Sequence, residues 1–346
     1  MGVSLKNRFS YIFVFSILIF CGSVGQSYGQ ISVNGGRGLF RITSAETINP
    51  GNLYISSFGS AYLRKSGSSL AKDYHMSVVF TYGIFSFLEF DTRFVAYQDD
   101  QSHIWGPIGD TQLGLKLKIP IESRFIALGV GSKVIFPTAP DHNVPYEAFS
   151  ADGIGWTPEA YATFNLTDLF LYPLKLYLNT GYMDHKLLDG MFANKIDETY
   201  FDFGLKFPVK STIVYWELDS RQLIHRSHEV AFQENWIYSH QGIVFVGPYN
   251  LIMNASLDWN LTKDDPATTY QPKEYARWKL WLGVTKYISL KKYATEALDK
   301  RRKQKEKMGM MKRQEEFRKQ RSKADEEITR MQEMLKKQEK KKKPNK

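Results

Sequence analysis

Histidines and acid–histidine pairs are the residues with the most obvious potential for catalysis or metal binding. Of seven histidines, only His225 and His228 have the close spacing of metal ligands. They fall in a predicted loop, where such side chains are usually solvated. Asp141-His142 and Asp184-His185 place an acid beside a base, but adjacent residues of an extended chain point in opposite directions. No motif places a nucleophile near a base, so we expect no enzyme activity, no bound metal and no cofactor.

A second set of candidates consists of charged side chains that alternate with apolar ones. Its acidic members are Glu89, Asp91, Asp110, Glu159, Asp202, Glu217, Asp219 and Asp258. Its basic members are Arg93, Lys116, Lys118, Lys133, Lys175, Lys206, Arg221 and Lys279. The eight acids and eight bases leave no net charge, whereas a charge-selective pore usually carries a ring of one sign. Two interpretations stay open: a lumen held in shape by salt bridges, or a narrow polar channel lined by these residues.

The elements that position these residues are segments of about ten residues in which apolar and polar side chains alternate, as on the two faces of a β-strand. The clearest segment places Leu251 and Leu257 on one face and Asp258 on the other. The tenth segment has the weakest pattern, because its alternation slips between His240 and Ile243, which predicts a β-bulge. We predict about 12 strands, at 52–64, 73–84, 86–98, 110–119, 124–136, 157–166, 171–183, 199–208, 212–222, 232–246, 250–262 and 275–288.

The connections between the predicted strands alternate in length. Short ones lie near 83–86, 120–123, 167–170, 207–211 and 247–250, and longer polar ones include 98–109, 137–156 and 183–198. This rhythm is typical of a transmembrane antiparallel up-and-down β-barrel with short periplasmic turns and long outer loops. A soluble β-sandwich is the alternative, but its Greek-key connections would not sort so regularly by length. The sequence therefore predicts an all-β outer-membrane barrel over residues 52–288.

The first 29 residues have the features of a secretory signal peptide. Lys6 and Arg8 precede an apolar run over 9–20, which is followed by small and polar residues. The run is shorter than the roughly 20 residues that a spanning helix needs. The only cysteine, Cys21, lies in the segment to be removed, and the bulky residue before it argues against a lipoprotein site. We expect residues 30–51 to form a periplasmic segment ahead of the barrel.

The basic character of the chain belongs to its C-terminal tail. The net charge is +10, but residues 289–346 contain 22 Lys or Arg and 10 Asp or Glu, which leaves −2 for the rest. This distribution argues against nucleic-acid binding by the barrel. The tail is rich in helix-forming residues, and its apolar seam is short, so we favour a solvated single helix over a coiled coil. In the periplasm its charge favours an anionic partner, such as the cell wall or lipid headgroups.

The residues ahead of the first strand carry a resemblance to a known group of proteins. From Gly35 they read Gly-Gly-Arg-Gly-Leu-Phe-Arg-Ile, followed by Ser44-Ala45 and Pro50-Gly51-Asn52-Leu53. This opening resembles that of bacterial outer-membrane β-barrel proteins, namely porin-like chains and the N-terminal barrel of the outer-membrane protein A family. The resemblance implies an outer-membrane barrel. The chain departs from that family after Ile288, where a charged segment stands in place of a globular peptidoglycan-binding domain.

These observations predict a porin-like channel for small solutes, with outer-membrane lipid as its surroundings. One alternative is a structural outer-membrane protein whose barrel anchors the basic periplasmic helix to the cell wall or to a partner. A further, less favoured alternative is an outer-membrane hydrolase, because Asp141-His142 and Asp184-His185 resemble the rim pairs of surface barrel proteases. The oligomeric state, the solute and the openness of the lumen stay undetermined at this level.

Overall fold

Twelve antiparallel strands form one closed barrel in the computed structural model. The structure describes residues 29–290 except for 67–68, 101–104, 122, 141–143, 145, 148–149, 168, 171–172, 187–196, 210–211, 225–235 and 263–274, together with positions 308, 311, 330, 331 and 334. The strands are β1 (Asn52–Ser66), β2 (Ser69–Phe85), β3 (Leu88–Gln98), β4 (Thr111–Lys118), β5 (Ile126–Phe136), β6 (Gly155–Asn165), β7 (Lys175–Met183), β8 (Glu198–Val209), β9 (Thr212–Leu223), β10 (Trp236–Val246), β11 (Leu251–Asn260) and β12 (Trp278–Ser289).

Each strand pairs with the next one in sequence, and β1 closes the barrel against β12 in a register from Asn52↔Ser289 to Ala61↔Leu280. Closure leaves the sheet without an edge strand. The predicted all-β barrel, its up-and-down order and its count of 12 strands are confirmed. The five predicted short connections join β2 to β3, β4 to β5, β6 to β7, β8 to β9 and β10 to β11. They all lie at one end of the barrel, which we call the turn end; the other end is the loop end.

The two faces of the barrel wall differ in chemistry because side chains alternate along each strand. On the outer face, apolar side chains are exposed, with Leu115 at 54% and Leu282 at 60%. On the inner face, Glu89, Lys116 and Asp258 are buried. An apolar outer surface of this extent is typical of barrels that are surrounded by lipid.

The prediction of a β-bulge in β10 is wrong. This strand keeps a continuous register with β9 and β11 between Tyr238 and Phe245. The polarity pattern slips there because two polar residues lie on the outer face. Gln241 is exposed, and Ser239 is buried, where its hydroxyl accepts a hydrogen bond of 2.9 Å from Trp216 Nε1. The register shifts that the structure does show lie between β2 and β3, at Met76/Ser77 and Gly83/Phe85.

Residues 30–48, which we call the plug, fold inside the barrel. Their backbone closes on itself through hydrogen bonds such as Val33 N–H to Phe40 O at 2.7 Å and Ser44 N–H to Arg37 O at 2.7 Å. Apolar plug residues are almost completely buried, namely Ile31, Val33, Leu39, Phe40, Ile42 and Ile48. The expectation of a periplasmic segment at 30–51 did not foresee this placement. The barrel interior removes these apolar side chains from water, whereas a solvated periplasmic segment would leave them exposed to it.

The plug contacts strands on different sides of the barrel. Gly36 N–H donates to Thr81 Oγ1 of β2 at 3.3 Å, and Ala45 N–H donates to Thr163 Oγ1 of β6 at 3.0 Å. Arg41 Nη2 lies 2.9 Å from Asp258 Oδ2 of β11. The plug therefore spans the interior between opposite walls.

Two predicted segments lie largely or wholly outside the described residues. These are the signal peptide at 1–29 and the basic tail at 289–346, so the signal peptide, the helix and the coiled-coil alternative stay predictions. The chain divides into two units, residues 1–289 and residues 290–346. Within the described ranges, no helix is both long and apolar enough to cross a membrane.

We predict that Gly35→Ala loosens the plug. Gly35 has a φ of +92°, and an added Cβ would stand 2.1 Å from Asp91 Oδ1. Backbone strain of this kind costs about 1–3 kcal/mol. Trypsin should therefore cleave the folded variant after Arg37 or Arg41 faster than the wild type. Gly59→Ala is the control, because its added Cβ would meet no atom closer than 3.8 Å. Equal cleavage rates in the wild type and both variants would contradict the packing of the plug.

Candidate functional site

The candidate site is the interior of the barrel. The 14 residues predicted to line a lumen all occupy the inward-facing parity of their strands: Glu89, Asp91 and Arg93 on β3, Lys116 and Lys118 on β4, Lys133 on β5, Glu159 on β6, Lys175 on β7, Asp202 and Lys206 on β8, Glu217, Asp219 and Arg221 on β9, and Asp258 on β11. Many of them contact the plug or each other. Their role in the passage of a solute stays a prediction.

Glu89 fixes the plug on one side of the barrel. Its carboxylate accepts hydrogen bonds from Arg37 N–H at 2.9 Å and Ile48 N–H at 2.7 Å, and it lies 2.6 Å from Lys116 Nζ. Both charged side chains are almost fully buried. Lys116 Nζ also donates to the carbonyl oxygen of Glu46 at 3.0 Å. A buried ion pair with satisfied hydrogen bonds is stable as a unit, whereas either partner alone is costly.

Glu217 holds the plug from the other side. Its carboxylate accepts hydrogen bonds from the backbone N–H groups of Arg41, at 3.0 Å, and of Ile42, at 3.3 Å. The side chain of Arg41 pairs with Asp258, which also accepts a hydrogen bond from Trp281 Nε1 at 2.7 Å. Asp258 and Glu217 are fully buried. The plug is therefore fixed to the wall by charge-assisted hydrogen bonds, which are stronger than those between neutral groups.

Near the turn end, the plug contributes its own carboxylate. Glu46 lies 3.0 Å from Arg37 and 2.9 Å from Lys175 of β7. Burial alone would raise the pKa of the Glu46 carboxyl, but the two cations outweigh this effect and hold its pKa at about 2. Glu46 therefore stays ionised at neutral pH and links the plug to the wall.

An apolar cluster completes the packing of the plug. The ring of Phe40 contacts Phe58 of β1 and Trp281 of β12 edge to face, with centroid distances of 5.9 and 5.3 Å. The guanidinium of Arg41 lies over the Trp281 ring, 5.4 Å from its centroid. Burying an aromatic side chain of this size stabilises the fold by about 1.5–3 kcal/mol. Together with the charged contacts, this cluster packs the plug against the wall in the interior of the barrel.

A cavity of about 160 Å³ remains between the plug and the loop end. The plug contributes Asn34, Arg41 and Thr43 to its lining. The wall contributes mainly polar and aromatic side chains, among them His75, Arg93, Gln98, Asn179, Tyr200 and Trp281.

The loop between β5 and β6 covers part of this cavity. Glu147 Oε1 lies 2.5 Å from Lys279 Nζ of β12, which also donates to the carbonyl oxygen of Tyr146 at 2.8 Å. Asp110, just before β4, accepts hydrogen bonds from Ala139 N–H at 3.1 Å and Ala151 N–H at 2.6 Å. The inward fold of this loop narrows the interior from the loop end.

Within the described residues, Asp184 and His185 do not pair with each other. Asp184 accepts hydrogen bonds from Trp156 Nε1 at 3.1 Å and Lys186 N–H at 2.9 Å, whereas His185 Nε2 faces Glu198 at 3.6 Å. His142, His225 and His228 lie outside the described residues. No group of acids, histidines and cysteines suited to a metal ion occurs in the described part of the chain.

The plug and the loop between β5 and β6 were not predicted to contribute to the site. Arg41, Glu46 and Glu147 were not among the predicted site residues. A signal was present, because six large apolar residues within 31–48 are too many for a short solvated segment. No comparable signal marks Glu147, whose role depends on the path of a long loop.

Comparisons with known proteins give likeness in structure only. No protein-family model matches the sequence, and no curated protein matches it significantly. A solved structure of the NanC porin has a TM-score of 0.47 and 11% identity, and the match covers 66% of this chain and 98% of that one. An outer-membrane channel from Pseudomonas putida F1 has a TM-score of 0.49 and 11% identity, over 70% and 98% of the chains. LpxR from Salmonella typhimurium has a TM-score of 0.41 and 9% identity, over 68% and 100%.

We predict that Glu89→Gln destabilises the folded barrel by about 3–5 kcal/mol, because it leaves the Lys116 ammonium buried without its charge partner. The double variant Glu89→Gln/Lys116→Met removes that unpaired charge as well. Its loss of stability should be smaller than the sum of the two single losses. Urea-induced unfolding of the refolded protein, followed by tryptophan fluorescence, measures the four free energies. Additive losses would contradict the coupling of these two residues.

Proposed function

We propose that this chain is an outer-membrane β-barrel channel for small polar solutes, and that the plug is its gate. The support for the membrane location is the apolar outer surface, which surrounds a closed barrel with a polar interior. Contact between this apolar surface and lipid tails is favourable, whereas contact between the same surface and water costs free energy. A signal peptide at 1–29 would supply the route of export.

The single observation that supports a gating role is the way in which the plug is attached to the barrel wall. It precedes β1 and belongs to no strand, and its polar attachments run to a few wall residues, chiefly Glu89, Glu217 and Asp258. Water or a solute can replace such hydrogen bonds, whereas the strand pairing of the wall has to persist in the membrane. Movement of the plug would therefore open the lumen without breaking the barrel.

A second candidate is a permanently closed, structural barrel that anchors the basic tail. The apolar contacts of Phe40 with Phe58 and Trp281 favour this candidate. Opening a gate would cost the free energy of separating these rings each time. In this case the periplasmic tail at 289–346 would carry the function, through the cell wall or another anionic partner. The non-enzymatic character of the chain stays a prediction under both proposals.

We predict that deletion of residues 31–47 converts a mostly closed barrel into an open pore. Planar-bilayer recordings should show rare or small openings for the wild type and sustained, larger conductance for the deletion variant. Deletion of residues 299–346 is the control, because it removes only residues that follow β12 and leaves the plug intact. Its recordings should match those of the wild type.

Two results would contradict the gated channel. A folded plug-deletion barrel without conductance would favour the structural role, because a lumen that the plug alone closes has to conduct once the plug is gone. Equal, sustained conductance of the wild type and the deletion variant would show that the plug is no barrier.

A further inference from the structure

The cavity between the plug and the loop end contains buried polar atoms that lack hydrogen-bond partners among the described residues. The donors are Arg93 Nε and Arg41 Nε, and the neutral amide acceptors are Gln98 Oε1 and Asn179 Oδ1. Further atoms of this kind in the lining are His75 Nδ1, His185 Nε2 and Asp202 Oδ1. Gln98 and Asn179 are at least 95% buried. Unsatisfied buried polar groups are costly, so a cluster of them around one cavity points to a bound polar molecule.

Arg93 differs from the other cations that line the cavity. Lys133 pairs with Glu159 at 3.1 Å, Arg221 pairs with Asp219 at 3.2 Å, and Lys279 pairs with Glu147. Within the described part of the chain, Arg93 has no ion pair of this kind. A guanidinium presents a planar fork of donors that matches a carboxylate.

The unpartnered atoms also define the rest of the ligand. Gln98 Oε1 and Asn179 Oδ1 accept hydrogen bonds, so they fit hydroxyl groups and not a second anionic group. Among the described residues, six carboxylates line the same cavity, those of Asp110, Glu147, Glu159, Glu198, Asp202 and Asp258. Their negative charge disfavours a doubly charged anion such as phosphate more strongly than a singly charged carboxylate. A ligand with one carboxylate and several hydroxyls satisfies the donors and the acceptors together.

The size of the cavity limits the ligand to a small molecule. Its volume is about 160 Å³, and one water needs roughly 10–15 Å³ measured in this way, so about 11 to 16 water positions are present. This corresponds to a polyhydroxy acid of about five to seven carbons, in which each non-hydrogen atom replaces roughly one water.

We propose that the cavity binds a small hydroxy-carboxylate, with Arg93 as the main carboxylate-binding residue and Arg41 as the second. This proposal rests on the channel proposed above, because it names the class of solute that the barrel takes up. Arg41 belongs to the plug and pairs with Asp258. A carboxylate at the unpartnered Arg41 Nε would share this guanidinium with Asp258, which contacts Nη2, and so would weaken one attachment of the plug.

Equilibrium dialysis of labelled gluconate against the refolded full chain in detergent tests the site. We expect saturable binding of one gluconate per chain. Sorbitol lacks the carboxylate, hexanoate lacks the hydroxyls, and inorganic phosphate carries more charge, so each should bind at least about tenfold more weakly. The comparison of the four probes separates a hydroxy-carboxylate site from a general anion site.

Variants of Arg93 test the assignment of the residue. Arg93→Gln should weaken gluconate binding about 10- to 100-fold, because it removes a charged hydrogen-bond donor. Arg93→Lys keeps the charge but loses the fork, so its affinity should lie between those of the wild type and Arg93→Gln. Arg124→Gln, in the exposed turn before β5, is the matched control and should bind like the wild type. The heat-dependent shift in electrophoretic mobility confirms that each variant is folded.

Several outcomes would overturn the proposal: no saturable gluconate binding to the folded wild type, equal binding of sorbitol, hexanoate or phosphate, or unchanged affinity in folded Arg93→Gln. The dialysis involves no membrane, so it is independent of conductance. Gluconate binding by a barrel that stays closed without its plug would support the site and contradict only the channel. Conductance without gluconate binding would support the channel and contradict only the proposed binding site.

Discussion

Buried charges inside the barrel need partners, and this constraint shapes the whole interior. The inward faces of the strands carry carboxylates that water cannot fully reach, among them Glu89, Glu217 and Asp258. An isolated buried carboxylate would lose several kcal/mol of solvation. The plug meets this requirement with the backbone N–H groups of Arg37, Arg41 and Ile42 and with the Arg41 guanidinium. The wall and the plug therefore depend on each other: the wall covers the apolar side chains of the plug, and the plug satisfies the carboxylates of the wall.

This dependence connects the structure to the proposed function. A lumen with balanced charges could fill itself by pairing opposite walls, but here several of the pairs run through a segment that is not part of the wall. Glu46 pairs with Arg37 within the plug and with Lys175 of β7. Such a segment can leave while the strand pairing stays intact, which a lumen filled by wall side chains cannot do. Under the proposed function, a solute in the cavity beyond the plug would contact both the wall, at Arg93, and the plug, at Arg41.

Much of the fold could be predicted from the sequence, because strand alternation is a local property. The alternation in Leu251–Asn260 alone identifies β11 and its two faces, and closure follows from twelve such segments joined in order. The plug could not be predicted in the same way. Its conformation depends on Gly35 and Gly36 at positive φ and on wall contacts that are distant in sequence, such as Arg41 to Glu217. The β10 pattern was misleading for a related reason, since the partner of Ser239 is Trp216 on the neighbouring strand.

An engineered disulfide between the plug and the wall tests most directly whether the plug lies inside the barrel in the membrane. The hydroxyl oxygens of Ser44 and Thr163 lie 3.2 Å apart, and both residues are buried. The chain has one natural cysteine, Cys21, in the predicted signal peptide. In the variant Ser44→Cys/Thr163→Cys, mild oxidation of intact membranes should cross-link nearly all molecules. Two free thiols that react readily with a water-soluble maleimide and do not cross-link would contradict the presence of the plug inside the barrel.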